Sequence, residues 1–215
     1  MPADEDLDQS VRRSDPDRWL ASRFIIDAAA RADVIALLAF DHQLARAGRV
    51  TSNALIAEIR LTWWGEAVEE IYEGRPVRGH PVAQALCGAV RRRGLPRDVL
   101  DAMIEARITQ PENAATLADA VDGSLALLAA RILDASADAD VARSAGRVYG
   151  LWRQAREGMA AIDLVAPLAE AARAVRGFST AAFPAVACAT LARARNPSPL
   201  ETRVRLFWAV LSGRI

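Results

Sequence analysis

The apolar residues of this chain recur at the spacing of helix faces, and this periodicity is the feature that most constrains its fold. Residues 31–45 (RADVIALLAFDHQLA) and 55–66 (LIAEIRLTWWGE) show it clearly. Apolar side chains three and four positions apart lie on one face of an α-helix. No segment alternates apolar and polar residues between hairpin turns. The pattern therefore predicts an all-α protein of about nine to ten helices.

Capping and turn residues predict where the helices begin and end. Ser14-Asp15-Pro16-Asp17 is a helix start, because a capping side chain precedes a proline in the first turn. His80 before Pro81 is another, and Gly48 and Gly94 are predicted helix ends. Thr51-Ser52-Asn53 offers a further cap. The later predicted helices start near residue 96 and cover residues 112–133, 137–157, 162–175 (kinked or split at Pro167), 181–195 and 200–211.

The length and composition are those of one globular domain. The chain has 215 residues, and 52% of them are hydrophobic, which is enough for a packed core. Residues 1–14 are acidic and polar, so they are predicted to form a flexible tail before a single helical domain over residues 15–215. Cys87 and Cys188 form no CxxC pattern and are predicted to be buried, reduced thiols.

The charge balance excludes one large class of partner. All 27 basic residues are arginine, and 27 acidic residues offset them to a net charge of zero. General binding to a nucleic-acid backbone needs a basic surplus, so no nucleic-acid role is expected. No apolar run reaches the ~18 residues of a membrane span, and the acidic first residues do not resemble a secretory or transit peptide. A cytoplasmic location, with peripheral contact to the inner membrane left open, is the expectation.

Several motifs, in their order and spacing, resemble the squalene/phytoene synthase family, all-helical enzymes that join two prenyl diphosphates head to head. The resemblance covers most of the chain and is strongest over residues 14–86. It implies a single-domain, isoprenoid-synthase-like helical bundle in which aspartates on two facing helices hold Mg²⁺. The motifs are Ala36-Leu-Leu-Ala-Phe40-Asp41, Trp63-Trp64-x-Glu66, Gly74-x-Pro76 with His80-Pro81-Val82, and Ala181-Ala-Phe183-Pro184-Ala185.

This chain departs from the family at both metal motifs. Carboxylates one turn apart can share a metal ion, but the residue four positions after Asp41 is Ala45. Asp33 can share the face of Asp41, yet it lies two turns away. After residues 145–153 (AGRVYGLWR), only Glu157 remains of the second acidic cluster. The remnant catalytic candidates are therefore Asp41, Asp33 and Glu157, and no metal site and no cofactor are expected.

With these departures, the chain resembles a non-catalytic branch of the family. The mitochondrial member of that branch is an assembly factor for respiratory complex I. That resemblance implies a catalytically inactive assembly or maturation factor that contacts a respiratory complex subunit and could hold a lipid or isoprenoid in an inherited apolar cavity. The alternative is a divergent prenyltransferase of isoprenoid or carotenoid biosynthesis. It would use Mg²⁺ with the three remnant carboxylates, and Arg153 and Arg156 would bind the diphosphate. A third possibility is a subunit of a larger complex.

Three residues are candidates for an interface with a partner or membrane. Trp63 and Trp64 are adjacent, so their side chains point about 100° apart on a helix. One indole in the core and the other partly exposed is one arrangement, and both indoles in the core is the alternative. In the first arrangement, Trp64 is the candidate for contact with a partner. Arg205 and Trp208 place basic and aromatic groups on one C-terminal helix, a combination that suits an interface.

Overall fold

The computed structural model describes residues 7–49, 54–158 and 162–215. These ranges contain eleven α-helices and no strand, so the predicted all-α class is confirmed. A five-residue π-helix, Asp119–Gly123, joins α7 to α8, and two 3₁₀ helices precede α11. The helices are α1 Leu7–Ser14, α2 Pro16–Ser22, α3 Ala28–Arg49, α4 Ala54–Tyr72, α5 Pro81–Arg93, α6 Arg97–Thr109, α7 Ala114–Ala118, α8 Ser124–Leu133, α9 Ala139–Arg156, α10 Val165–Ala174 and α11 Pro199–Ser212.

The predicted helix starts are formed by the capping residues themselves. The Asp15 carboxylate accepts a hydrogen bond of 3.1 Å from the backbone N–H of Arg18. The Nδ1 atom of His80 accepts one of 3.2 Å from the N–H of Val82 at the start of α5. Gly94 ends α5 with φ +60°, a left-handed conformation that glycine adopts without steric cost. Local chemistry alone thus fixes these boundaries.

Two groups of buried apolar side chains form the interior. One lies among α3, α4, α5, α6 and α8, and it includes the fully buried Phe40, Leu86, Leu100 and Leu128. The other lies among α9, the two 3₁₀ helices and α11, around Trp152 and Phe183. Both cysteines are buried free thiols, as predicted.

The two groups meet where the π-helix crosses α9, because glycines allow very close approach there. A Cβ atom at Gly146 would lie 2.4 Å from the carbonyl oxygen of Asp122. A Cβ atom at Gly150 would lie 2.4 Å from the carboxylate of the same residue. Neither distance is sterically possible, so both positions require glycine. The Asp122 side chain therefore lies flat against α9, and 8% of the residue is exposed.

The structure corrects the prediction of a flexible tail over residues 1–14. Leu7–Ser14 forms α1, which packs on α3 through Val11. The Asp8 carboxylate pairs with Arg31 and accepts a hydrogen bond of 2.9 Å from the Trp19 indole. Residues 1–6 lie outside the described ranges. The composition of the segment was misleading because its few apolar residues fall on one helix face.

Three other boundaries differ from the prediction. Helix α3 continues through Gly48 to Arg49, and the cap predicted at residues 51–53 lies outside the described ranges. Pro167 stands in the first turn of α10, where no N–H is needed, so it does not kink the helix. Residues 183–193 form 3₁₀ helices, and the predicted α-helix over 181–195 is wrong. The alanine-rich sequence favours helical backbone there, but it does not distinguish the two hydrogen-bond spacings.

Replacing Gly150 with alanine tests the close approach of Asp122 to α9. The new methyl group would displace a buried carboxylate, so Gly150→Ala should lower the free energy of unfolding by about 2 kcal/mol or more. Gly65→Ala in α4 is the matched control, because no atom lies within 4 Å of its Cβ position. It should be neutral or stabilise by about 0.5–1 kcal/mol. Urea unfolding measures both, and equal stabilities would contradict the inferred packing.

Candidate functional site

Asp33 is held inside the protein by two arginines. It lies on α3 with its side chain fully buried. Arg92 Nη2 donates to Oδ1 at 2.5 Å, and Arg93 Nε donates to Oδ2 at 2.7 Å. Both arginines come from the last turn of α5, where positive charge also complements the helix dipole. Asp33 therefore ties α5 to α3, and each of its carboxylate oxygens already has a guanidinium partner.

The Asp41 carboxylate is also paired with an arginine, which lies on a helix other than α5. Arg107 of α6 donates a hydrogen bond from Nη2 to Asp41 Oδ1 at 2.6 Å. The pair is largely buried, with 11% of the Asp41 side chain and 19% of the Arg107 side chain exposed. Because an arginine side chain stays protonated under all ordinary conditions, Asp41 has a permanent cationic partner. Sequence reasoning did not identify Arg107, since nothing local marks it.

The candidates on α9 point in different directions. Arg153 Nη1 lies 3.5 Å from the Asp122 carboxylate and 3.8 Å from that of Asp15. Arg156 is exposed, and its guanidinium lies 4.6 Å from the centre of the Trp152 ring. Glu157 is the exposed residue after the last turn of α9. Only Arg153 belongs to a buried polar cluster.

That cluster is an ion-pair network around Asp122, which we call the Asp122 network. Arg18 of α2 donates at 2.7 Å to Asp122 Oδ1 and at 3.1 Å to Asp15 Oδ2. Its guanidinium also lies 4.6 Å from the centre of the Tyr149 ring. Burial alone would lower the pKa of Arg18, but Asp122 and Asp15 raise it well above the ordinary value. The network thus consists of Asp15, Arg18, Asp122 and Arg153, with Tyr149 against it.

Asp15, a member of the network, and Asp17, which lies beside it, have opposite pKa shifts. Burial raises the pKa of Asp15, yet Arg18 and Arg153 more than offset this, so the net pKa is lowered. Burial and the charge of Asp15 raise the pKa of Asp17. The Tyr149 hydroxyl donates a hydrogen bond of 3.1 Å to Asp17 Oδ2. A lone aspartate inside the apolar run Val121–Leu128 was the sequence signal for this network, because a buried charge needs a partner.

A cleft of about 480 Å³ opens beside the Asp122 network, and we call it the α9 cleft. Its walls come from α3, α4, α6, the π-helix and α9. Arg107, Glu112, Asp122, Arg153 and Glu157 supply charged groups, and apolar side chains form much of the remaining wall. Glu157 lies at the cleft, while Asp33 is not among its lining residues. The full lining is Leu44, Ala45, Leu61, Ala106, Arg107, Gln110, Pro111, Glu112, Leu117, Val121, Asp122, Gly150, Arg153, Gln154 and Glu157.

The three remnant carboxylates, of which only Glu157 lines this cleft, do not fit a magnesium site. Mg²⁺ takes oxygen ligands in octahedral geometry, usually with carboxylates that converge on it. Asp41 and Asp33 each have a guanidinium partner, and Ala45 stands where a second carboxylate would share the metal. Within the described ranges, no three His, Cys, Asp or Glu side chains come together as a metal-binding group. The three remnant carboxylates are thus separate groups.

The interface candidates lie in different environments. Trp64 is 5% exposed and packs edge-on against Phe40 at 5.5 Å, so the structure corrects its assignment as an interface residue. Trp63 is the partly exposed member of the pair. Trp208 is 58% exposed on α11, and Arg205 pairs with Glu201 at 2.7 Å on the same helix. None of the described helices combines the length and apolar character needed to cross a bilayer.

Comparison with known proteins gives two findings. The model of the squalene/phytoene synthase family matches residues 11–160 of this chain. Two curated proteins, from Bos taurus and Homo sapiens, are each 33% identical to it over 97 residues, and both carry the name NADH dehydrogenase (ubiquinone) complex I, assembly factor 6. The match spans 45% of this chain and 28% of each relative, so the matching segment covers less than a third of each relative's length.

A pH-dependent measurement tests the role of Asp15 in the Asp122 network. The lowered pKa of Asp15 means that its contribution to stability is complete above the unfolded value of about 3.9 and is lost as the pH falls through the folded value. Asp15→Asn keeps a capping side chain but removes the charge. It should reduce the free energy of unfolding by about 2 kcal/mol at pH 7, and this difference should shrink below about pH 4.

Asp138→Asn is the control for this experiment. Asp138 caps α9 through two backbone N–H groups, and no arginine pairs with it in the described part of the chain. Its substitution should cost little at either pH. Urea unfolding at pH 7 and pH 3.5 gives the comparison. A loss for Asp15→Asn that does not change with pH would contradict the inferred ion pairs.

Proposed function

The chain belongs to the squalene/phytoene synthase family, and we propose that it is a non-catalytic member that acts as an assembly factor for a respiratory complex. The observation that carries the proposal is the pairing of Asp41 with Arg107. In the enzymes, the corresponding position belongs to the first of the two aspartate motifs that hold Mg²⁺. Here the Arg107 side chain is paired with the carboxylate that a metal ion would need as a ligand.

The chemistry of prenyl diphosphate ionisation supports this interpretation. A diphosphate leaving group develops high negative charge, and metal ions and positioned donors stabilise that charge in such sites. Ala45 offers no second carboxylate on α3, and Glu157 is exposed at the end of α9. Arg153 is engaged by Asp122 and Asp15, so its charge is already balanced. The residues that line the α9 cleft therefore supply neither converging metal ligands nor a free cationic cluster for the leaving group.

The names of the two curated relatives support the assembly role. Both are named as assembly factors of complex I, and the matching region is 33% identical. Such a role requires a surface for protein contact rather than turnover. Our proposal is that this chain contacts a subunit of a respiratory complex during its maturation. The α9 cleft, with apolar walls from Leu44, Leu61 and Leu117, would serve as a holding site for a lipid or isoprenoid chain.

The alternative is a divergent prenyltransferase that uses Asp41, Asp33 and Glu157 with Mg²⁺. It would require Arg107, Arg92 and Arg93 to release their carboxylates before a metal ion could bind. Breaking a buried ion pair leaves an uncompensated charge and costs about 3–5 kcal/mol. No observation on the described residues favours this alternative over the non-catalytic function.

A complementation experiment with Asp41 separates the two functions. In cells that lack this gene, the wild-type protein should restore the assembled respiratory complex, measured as its band on a native gel. Asp41→Asn with Arg107→Gln removes both charges of the pair together, so no buried charge is left unpaired. We expect this double variant to restore assembly to about the wild-type level once its expression matches.

Purified protein gives the matching biochemical test. Isothermal titration with farnesyl diphosphate, with and without Mg²⁺, should show no magnesium-dependent binding, and pyrophosphate release should stay at the level of the buffer. Wild-type protein that releases pyrophosphate would contradict the proposal. A double variant that folds, as its circular dichroism melting curve shows, but fails to restore assembly would show that the Asp41 site is still needed.

A further inference from the structure

A second concave site lies between the C-terminal half of α3 and the middle of α4, and nothing in the proposed function uses it. It has a volume of about 390 Å³ and shares no lining residue with the α9 cleft. This volume is within the usual range for small-molecule sites. We call it the aromatic pocket. It is lined by Gln43, Arg46, Ala47, Ile59, Arg60, Trp63, Trp64 and His80.

Three rings form an apolar floor in this pocket. Trp63 and Trp64 meet edge to face at 4.9 Å between ring centres. The His80 ring lies 5.6 Å from the first and 5.1 Å from the second. Trp64 is buried against Phe40 of α3, which keeps the floor rigid. Because the rings are held edge to face, they form a fixed, angular aromatic surface against which an apolar group can pack.

The polar groups of the aromatic pocket are hydrogen-bond donors without an acidic partner. No carboxylate is among its lining residues. Arg46 and Arg60 are exposed, and within the described part of the chain neither has an ion pair or hydrogen bond. By contrast, Arg78 beside the pocket is held by Glu66 and Glu70. The two free guanidinium groups therefore give the pocket an uncompensated positive charge.

His80 adds a third donor through its ring tautomer. Its Nδ1 atom accepts the Val82 N–H, so the proton of the neutral ring is on Nε2. Burial lowers the pKa of His80, which keeps the ring neutral near pH 7. The ring thus serves as an apolar wall and as a donor at the same time. Its capping role fixes its position at the start of α5.

A groove with an apolar track of Leu55, Ile59 and Trp63 leads away from the pocket along α4, and Glu58, Thr62 and Glu66 also line it. Leu55, Ile59 and Trp63 are four residues apart, so they lie on one face. Their Cα atoms span on the order of 12 Å along the helix. Leu55 and Ile59 are 62% and 59% exposed, although both are large apolar side chains. A chain of about eight to ten methylene groups could cover this track, and each buried methylene would contribute about 0.8 kcal/mol.

We propose that the aromatic pocket binds an acyl-chain anion, with its carboxylate or phosphate at Arg46 and Arg60 and its chain against Trp63 and Ile59. Arginine suits this role because its planar guanidinium matches both oxyanion groups. The same chemistry is offered by a free fatty acid and by the head of an acidic lipid in a bilayer. The proposal is independent of the assembly function, since the pocket is separate from the α9 cleft.

The test compares two amphiphiles of equal chain length and opposite charge. Decanoate and decyltrimethylammonium are titrated separately into the full chain at pH 7.5, below their critical micelle concentrations, by isothermal calorimetry. The variant Arg46→Gln/Arg60→Gln removes the two free charges. The matched control is Arg91→Gln/Arg131→Gln, two exposed arginines outside the pocket that form no ion pair with described residues. Circular dichroism melting curves of both variants measure whether the substitutions leave the protein folded.

A second arm distinguishes the source of the anion. The wild-type protein and both variants are sedimented with phosphatidylcholine vesicles, with and without phosphatidic acid. One result is that the protein sediments only with vesicles that contain phosphatidic acid, and that Arg46→Gln/Arg60→Gln reduces this sedimentation. That result would identify the anion as a lipid head group in a bilayer. Decanoate binding with the same dependence would identify a free acid. Either result supports the proposed pocket.

We expect saturable 1:1 binding of decanoate or retention on phosphatidic acid, weakened at least about tenfold in Arg46→Gln/Arg60→Gln and unchanged in the control. Equal binding of decyltrimethylammonium would overturn the proposal, because the charge would then have no role. Equal binding by the pocket variant and the wild type would also overturn it. Absence of binding in both arms, by a protein that melts cooperatively, would do the same.

Discussion

The arrangement of α2, the π-helix and α9 depends on how one buried carboxylate, that of Asp122, is accommodated. Asp122 lies against Gly146 and Gly150. Its carboxylate forms ion pairs with Arg18 of α2 and Arg153 of α9. Burying a charge is costly unless the charge is paired and hydrogen-bonded. Here the pairing brings three elements together, so the interaction that offsets desolvation also fixes their relative positions. The π-helix matters for the same reason, because it sets the backbone of residue 122 directly over the two glycines.

Arginine side chains take the place that metal ions would need in a catalytic relative. A Mg²⁺ ion can arrive with substrate and leave with product, and it carries two charges. Arg107 and the Arg92–Arg93 pair are covalently part of the chain, so the carboxylates of Asp41 and Asp33 stay neutralised whatever ligand is present. The same pairs connect α3 to α6 and to α5. Residues that a metal site would keep available are thus committed to holding helices together.

Helix α3 separates the two concave sites, and the helical rotation explains how. Consecutive residues on a helix point about 100° apart. Leu44 and Ala45 line the α9 cleft, whereas Gln43, Arg46 and Ala47 line the aromatic pocket. One wall therefore serves both sites without any shared side chain. The charged groups differ as well, because those of the α9 cleft include balanced ion pairs, while the two arginines of the aromatic pocket have no acidic partner among the residues that the structure describes.

The sequence by itself determined the elements of this protein. Its apolar spacing specified helices, and Asp15, His80 and Gly94 specified where some of them begin or end, because caps depend on atoms only a few residues apart. It also predicts that both metal motifs are incomplete, since Ala45 offers no metal ligand in any fold. The sequence pattern made Trp64 the exposed candidate, because helical periodicity alone does not show which of two adjacent tryptophans is buried. It also predicted a flexible tail that included residues 7–14. Only the tertiary structure decided that Arg107 reaches Asp41 across 66 positions of sequence and that Asp122 lies on Gly150. It also decided that Arg46 and Arg60 lie beside an aromatic floor with no ion pair to any described residue. These features depend on the packing of distant helices, and no local pattern encodes the distance between two side chains on different elements.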